Sequence, residues 1–492
     1  MTRWMGSVGW GTSWRRRTWP VAVALLGGVL ASLLVITPGP AAAAGSTWVV
    51  RGPAAHTVSV DSLAALQGAI DVASPGTRIV VRAGTYDVTE PIRIAGRSGA
   101  PGAPIVVAAE RVGAVELTGA AGFTVTNSSY VVLRGFRLTH RSTLRIPADS
   151  SHIRVTRNHF ELPAADGDHW LNVDGNDVEV DHNTFANRAN LGVYLSISGP
   201  DGDVAKRTWI HHNYFFHHTY GGDNGGEPIR LGLSSKQSYS AYAVVENNLF
   251  DQVNGDPEAI SVKSSDNIIR SNTVVDSVGS IVLRHGNRNR VEGNFLLGGR
   301  SGIRFYGNDH QIVNNVVSGS AGSGIVIGSG SVVDDTASTG NDRPDRVTVA
   351  FNTLVGNAVS ITGEGNRPLE PHDCVVANNI VSGSGTQLVT MPRGEVGFRW
   401  EGNILHGAPA GDIPVTGFTI ADPLLSTEGD GVPRLTPASP AVNAAVGSFP
   451  TVRRDLDRIP RVGAKDVGAD ELTWFGRRQV PLTPNDVGPL AR

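Results

Sequence analysis

Lys263 and Arg284 stand 21 residues apart, in Asp256-Pro-Glu-Ala-Ile-Ser-Val-Lys263-Ser and Ile281-Val-Leu-Arg284-His285-Gly286. Strand alternation around them reads Ile229 and Leu231, Ile260 and Val262, Ile281 and Leu283, and Ile303 and Phe305 as inward positions. Their neighbours Arg230, Lys263, Arg284 and Arg304 then face outward together, as one column of cations spaced about 4.8 Å if the segments are stacked strands. Such a column is repulsive, and a polyanion would relieve it. Beside it, Asn224-Gly-Gly-Glu227 and Asp256-Pro-Glu258 bring oxygens on adjacent segments, with glycines that permit close backbone approach. Asn224, Asp256 and Glu258 suit a hard cation such as calcium. The same carboxylates would also serve as plain counter-charges to Lys263 and the arginines.

This set of groups matches the needs of β-elimination at a uronic acid in a polysaccharide. The C6 carboxylate must be neutralised, the C5 proton removed, and the 4-linked oxygen released with a proton. A cation meets the first need. Lys263, with a neighbouring arginine and a divalent ion lowering its pKa, meets the second as a neutral amine. Arg284 stands nearest the leaving oxygen, but guanidinium is a poor proton donor at neutral pH, so it stabilises charge while water or another group delivers the proton. Around this pair, His285 reads as ordering the site by hydrogen bonding. Arg304 reads as a clamp on a substrate carboxylate or as half of a salt bridge, with His310 beside it in the same segment. Tyr194, projected outward one coil before Arg230, offers a ring for a sugar to stack on. His211, His212, His217 and His218 are dense in sequence, yet alternation sends neighbours to opposite faces and no cysteine joins them, so they are not read as a zinc site.

The elements that must position these groups follow from a recurring phrase, an Asn followed two positions later by an aromatic or aliphatic residue. It begins at Asn158, Asn183, Asn213, Asn248, Asn272, Asn294, Asn315, Asn352, Asn379 and Asn403. The intervals never fall below 21 and often exceed it, as in a parallel β-helix of about 10–13 coils whose extra residues bulge out as loops. A leucine ladder is missing, which excludes leucine-rich repeats. The asparagine is expected to make the left-handed turn between strands and to bond the same amide one coil on. Ahead of the coils, Leu63, Leu66, Ile70 and Ala73 share a helical face with Asp61 or Ser62 as N-cap, a helix that would close the open end of the stack. Gly76–Tyr86, Pro91-Ile-Arg-Ile and Pro104-Ile-Val-Val read as the first strands. Residues 421–492 lack the phrase, are rich in proline, and read as an irregular C-terminal cap on the domain formed by residues 45–420.

Residues 1–44 read as a secretory leader, with Arg15-Arg16-Arg17, an apolar run from about Val21 to Ile36, and a small-residue cleavage site near Ala43 or Ala44. A soluble, exported protein without a lasting membrane anchor is expected, by a general or a twin-arginine route. The net charge of −3 among 492 residues excludes a general nucleic-acid binder. Cys374 is the only cysteine, so no intramolecular disulfide can form. Nothing in the sequence calls for an obligatory protein partner.

Asn224-Gly-Gly-Glu-Pro-Ile-Arg-Leu-Gly232, Glu258-Ala-Ile-Ser-Val-Lys-Ser264 and Leu283-Arg-His-Gly286 resemble, in order and spacing, the motifs of polysaccharide lyase family 6, which contains alginate lyases and chondroitinase B. The likeness runs from about Val49 to Asn403. It implies an all-β, right-handed parallel β-helix, Lys263 as base, Arg284 as acid, and calcium held by Asn224, Asp256 and Glu258. Asp256 stands where a second glutamate is expected, one methylene shorter. Alginate is favoured over dermatan sulfate because every alginate unit is a uronate. A uronan C5-epimerase would share the proton abstraction, whereas a non-catalytic β-helix binder would have no use for Lys263. Hydrolases of this architecture rely on clustered aspartates where this chain has Lys and Arg.

Overall fold

From Asn158 to Asn403 the repeated asparagines stack, the backbone N and side-chain Nδ2 of each donating to Oδ1 of the next at 2.9–3.1 Å. The left-handed position is not the asparagine itself but the residue before it. Arg157, His182, His212, Asn247, Ser271, Asn314, Phe351 and Asn378 have φ of 52–56°. The turn residue points outward, where its type is free, and the asparagine that follows spends its amide inside the stack.

The computed structural model describes residues 56–334, 338–473 and 475–492, all within one compact unit, Ala42–Arg492. The leader expected over residues 1–44 lies outside the described residues. Each coil visits three parallel sheets in turn: a first of 14 strands that includes Trp209–His211, a second of 14 that includes Tyr214–His218, and a third of ten that includes Ile229–Gly232. A two-stranded sheet, Ile92–Ala95 with Phe123–Thr126, precedes the ten on the third face. The result is a parallel β-helix. Among the described residues, no helix is long and apolar enough to cross a membrane.

Alternation fills the interior. Leu195, Ile229, Ile260, Ile281 and Ile303 are paired neighbours on the third sheet and all fully buried. In the second sheet Phe160, Phe185, Phe215 and Phe250 stack with centroids 4.5, 5.1 and 4.9 Å apart. At the N-terminal end the helix Leu63–Asp71 is capped by the Ser62 hydroxyl, which accepts from Ala65 N at 3.3 Å, and buries Leu66 and Ile70. One strand precedes it: His56–Val60 pairs with Thr77–Val81.

The C-terminal stretch runs back along the flank of the coils. Val446 exchanges hydrogen bonds with Asn378, Phe449 packs edge-on to Phe351, and Arg461 donates to Asn314. Further on, Leu482 N donates to Thr273 Oγ1 at 2.9 Å, and Arg157 Nη1 donates to the carbonyls of Pro489 and Ala491. Turn residues left outward by the ladder thus become the docking points of this segment.

Candidate active site

The strand Glu258–Lys263 lies between Ile229–Gly232 and Ser280–His285 on the third sheet, and its pairing with the latter is irregular at both ends. Glu258 is opposite Ser280 but Ile260 is opposite Ile281, and Val262 is opposite Leu283 but Lys263 is opposite His285. Ala259 is thus extra on one strand and Arg284 on the other. Such bulges re-aim side chains and recur beside active sites. Here they bring Glu258 to Arg284 across the strands, with Oε1 2.7 Å from Nη1.

The four cations face outward as expected, but they do not form one column. Arg230 pairs with Ser261, Ser261 with Val282 and Val282 with Arg304; Gly232 pairs with Lys263 and Lys263 with His285. Arg230 and Arg304 therefore share one outward row, and Lys263 lies in the next. Alternation defines the face, and a shift of two residues leaves the face unchanged. Two glycines make the close packing possible. A Cβ on Gly286, at φ +87°, would sit 2.2 Å from the Ser264 carbonyl, and one on Gly226 would sit 2.4 Å from that of Gly255.

Each cation is met by a partner. Lys263, 7 % exposed, holds Glu227 Oε1 at 3.2 Å. Glu258 Oε1 accepts from Arg284 and also from Arg304 Nη2 at 2.9 Å, so Arg304 does make a salt bridge. Arg230 Nη2 lies 2.8 Å from His169 Nε2 and 3.3 Å from Ser196 Oγ. Burial and the charges of Arg230 and Arg188 push the His169 pKa down to about 4, so it accepts as a neutral ring. Burial raises the Glu258 pKa, but Arg284, together with Arg304, outweighs it and holds the carboxyl below its ordinary range. Reciprocally, burial disfavours the Arg284 charge and Glu258 more than restores it.

The carboxylates are less satisfied than the cations. Among the described residues, Oε2 of both Glu227 and Glu258 is buried without a hydrogen-bond partner. Asp256 accepts from Glu258 N at 2.9 Å and Gly226 N at 3.4 Å, yet burial and the charges of Glu227 and Glu258 push its pKa up to about 7. Three buried carboxylates with two unpartnered oxygens fit a hard cation in donor type. Asn224 lies in an exposed loop three residues before Glu227.

His285 is buried, with Nδ1 unpartnered and its ring bonded to the Gly340 backbone; burial, Arg284 and Lys263 drive its pKa down to about 4. The Gly340 contact comes from the long step after Asn315, which also brings Asn341 Nδ2 to the Arg284 carbonyl at 3.5 Å. Two expectations fail. Tyr194 precedes its strand, Leu195–Ile197, and turns inward: it is fully buried beside Trp170 and His218, and its hydroxyl donates to Phe216 O and accepts from Arg188 N, both at 3.0 Å. His310 is also fully buried. Its Nδ1 accepts from Asn289 N at 3.0 Å and its Nε2 contacts Tyr306 O at 2.8 Å, so it extends a second ladder through Asn267 and Asn289 and cannot touch a polymer.

Sequence reasoning also passed over Glu227 as a site residue, although it closes the Asn-Gly-Gly-Glu phrase. His169 arrives two coils before Arg230 and carries no local signal. Tyr306 follows His285 one coil on, its hydroxyl donating to Glu364 at 2.7 Å, with Arg367 4.9 Å above its ring.

The sequence matches the chondroitinase B family over residues 60–365. Among solved structures, the PL6 family alginate lyase AlyGC superposes with a TM-score of 0.69 at 24 % identity, covering 85 % of this chain and 59 % of that one. This chain thus spans well under two thirds of its length. A mannuronic acid specific family 6 lyase from human gut microbiota gives 0.65 at 24 % identity over 74 % of this chain and 90 % of that one. A PL6 alginate lyase in complex with a trisaccharide gives 0.66 at 22 % identity, covering 85 % and 95 %. A search of curated proteins gives no match. With the family match covering more than half the chain and the fold shared over 74–85 % of it, the chain belongs to polysaccharide lyase family 6, the chondroitinase B family.

Proposed function

We propose that the protein is an exported lyase that cleaves a uronate-containing polysaccharide, alginate foremost, by β-elimination. The observation that carries this reading is the buried Lys263 amine on the same strand as Glu258, whose Oε1 bonds both Arg284 and Arg304 from the next two coils. In this scheme Lys263 Nζ takes the C5 proton, the electron pair is held through the C6 carboxylate, and the C4–O4 bond then breaks to leave a C4–C5 double bond. Nζ must be unprotonated to act, and Glu227 Oε1 at 3.2 Å holds the amine in place. Arg284 keeps its proton because Glu258 favours the charged form. It therefore stabilises the departing O4, and water supplies the proton. Arg230 and Arg304 lie on the neighbouring row, where they hold carboxylates of flanking sugars.

Glu227, Asp256 and Glu258 are the groups that would hold calcium, with Asn224 from the adjoining loop. The ion would supply positive charge to offset that developing on the C6 carboxylate. Alginate is favoured because every unit carries a carboxylate and because the similar solved structures are named alginate lyases.

The test is incubation of the purified protein with polymannuronate, polyguluronate, alginate and dermatan sulfate, with and without chelator, following the ultraviolet absorbance of unsaturated uronate. Product on the uronate polymers supports the reading. Product on dermatan sulfate alone moves the substrate. No unsaturated product but altered mannuronate-to-guluronate ratios would make it an epimerase.

A further inference from the structure

On the outer face of the first sheet, histidines from two coils converge. His211 ends the strand Trp209–His211, and alternation would send His212 to the opposite face. His212 has φ 53°, however, and His182 one coil earlier has φ 52°. The left-handed turn interrupts the alternation and swings each ring out beside the last residue of its strand. His211 and His212 consequently face each other with their Nδ1 atoms 2.9 Å apart. The His182 ring lies parallel to that of His212 at 4.9 Å and at 85° to that of His211 at 5.9 Å. Asp181, His182 and His211 each offer a ligand atom within 4.8 Å of the others.

Two buried carboxylates stand behind these rings. Asp181 Oδ2 is 2.8 Å from His182 Nδ1, and Glu179 Oε1 is 3.2 Å from His211 Nε2. Arg154 serves both, bonding Asp181 at 2.8 and 2.7 Å and lying 3.2 Å from Glu179. Thr156 Oγ1 also donates to Asp181. Glu179 is 2 % exposed, and among the described residues its Oε2 has no hydrogen-bond partner. Glu246, next along the row, is occupied by Arg270 and Trp209. Two carboxylates therefore share one bonded guanidinium beside three imidazoles.

We propose that Asp181, His182, His211 and His212 bind a divalent transition-metal ion of the imidazole-preferring class, zinc being the reference case, at a site separate from the oxygen-lined position beside Lys263. Two imidazole nitrogens at ~2.0–2.1 Å from zinc lie roughly 3 Å apart, so the facing Nδ1 atoms need little movement once the ion replaces the proton between them. Glu179 on the far nitrogen of His211 has the place of the carboxylate that orients a metal-bound histidine. The Asp181–His182 pair supplies the third ligand. An ion here ties two coils together where the C-terminal segment docks, since Gly488 N donates to the His212 carbonyl at 2.8 Å.

The test uses the full chain, stripped with chelator and dialysed, then titrated with cobalt(II). One equivalent should develop the visible absorption of a nitrogen-coordinated ion, zinc should abolish it and raise Tm, and calcium should do neither. His211→Gln combined with His212→Asn should remove both signals while leaving lyase activity unchanged. His182→Asn, at a left-handed position that asparagine tolerates, covers the case in which the double variant fails to fold, and should weaken cobalt binding about tenfold or more. Absence of any cobalt spectrum overturns the proposal. So do an unchanged spectrum in the double variant and unchanged affinity in His182→Asn.

Discussion

The asparagine-ladder turn and the Glu258–Lys263 face traverse the same coils, but they differ in how completely their polar atoms are matched. Along the ladder each buried amide has a donor below and an acceptor above, in register from Asn158 to Asn403. On the third sheet the register slips twice, two carboxylate oxygens are orphaned, and Asp256 is pushed up to about 7. Unmatched groups of this kind are costly and mark places kept for binding or chemistry. A stack built by repetition is stable where it repeats, and it carries its chemistry where repetition is broken.

The largest expected effect lies on the irregular face. Lys263→Ala should lower turnover by about 10³-fold or more, with Tm near that of the unchanged protein and polymer binding retained; activity surviving this change would remove the base from the mechanism. The opposite pattern is expected on the ladder. Asn294→Ala deletes a donor to Ile269 O and Asn315 Oδ1 and strands Asn272, costing about 3 kcal/mol in chemical unfolding, while activity per folded molecule is unchanged.

A smaller effect separates the two regions by pH. The folded-state pKa of Asp256 lies above its unfolded value, so protonation favours the fold. Its contribution to stability is full below about pH 4 and is lost as pH rises through about 7. In chelator, Tm should fall across that window, and Asp256→Asn should flatten the fall; a slope unchanged in the variant would assign it to other groups. The smallest effect is at Tyr194, which the sequence places outward and the fold buries. Tyr194→Phe should cost about 1 kcal/mol of stability through the lost Phe216 and Arg188 bonds and leave KM unaltered. A raised KM would return Tyr194 to the substrate.

The parallel β-helix, the capping helix and the outward direction of Arg230, Lys263, Arg284 and Arg304 were legible in the sequence, because period and alternation are local properties of strands. The Lys263 and Arg284 motifs were legible as well, since their residues lie within single strands. What the tertiary structure alone decided is which outward row each cation occupies, because a two-residue offset preserves alternation and only cross-strand pairing reveals it. It also decided the partners: Glu227 for Lys263, His169 for Arg230, and one oxygen of Glu258 for two arginines come from different coils. Tyr194, His310 and the His211–His212 pair were misread for one reason. Each lies next to a strand end or turn, where the backbone rotates and alternation no longer predicts direction.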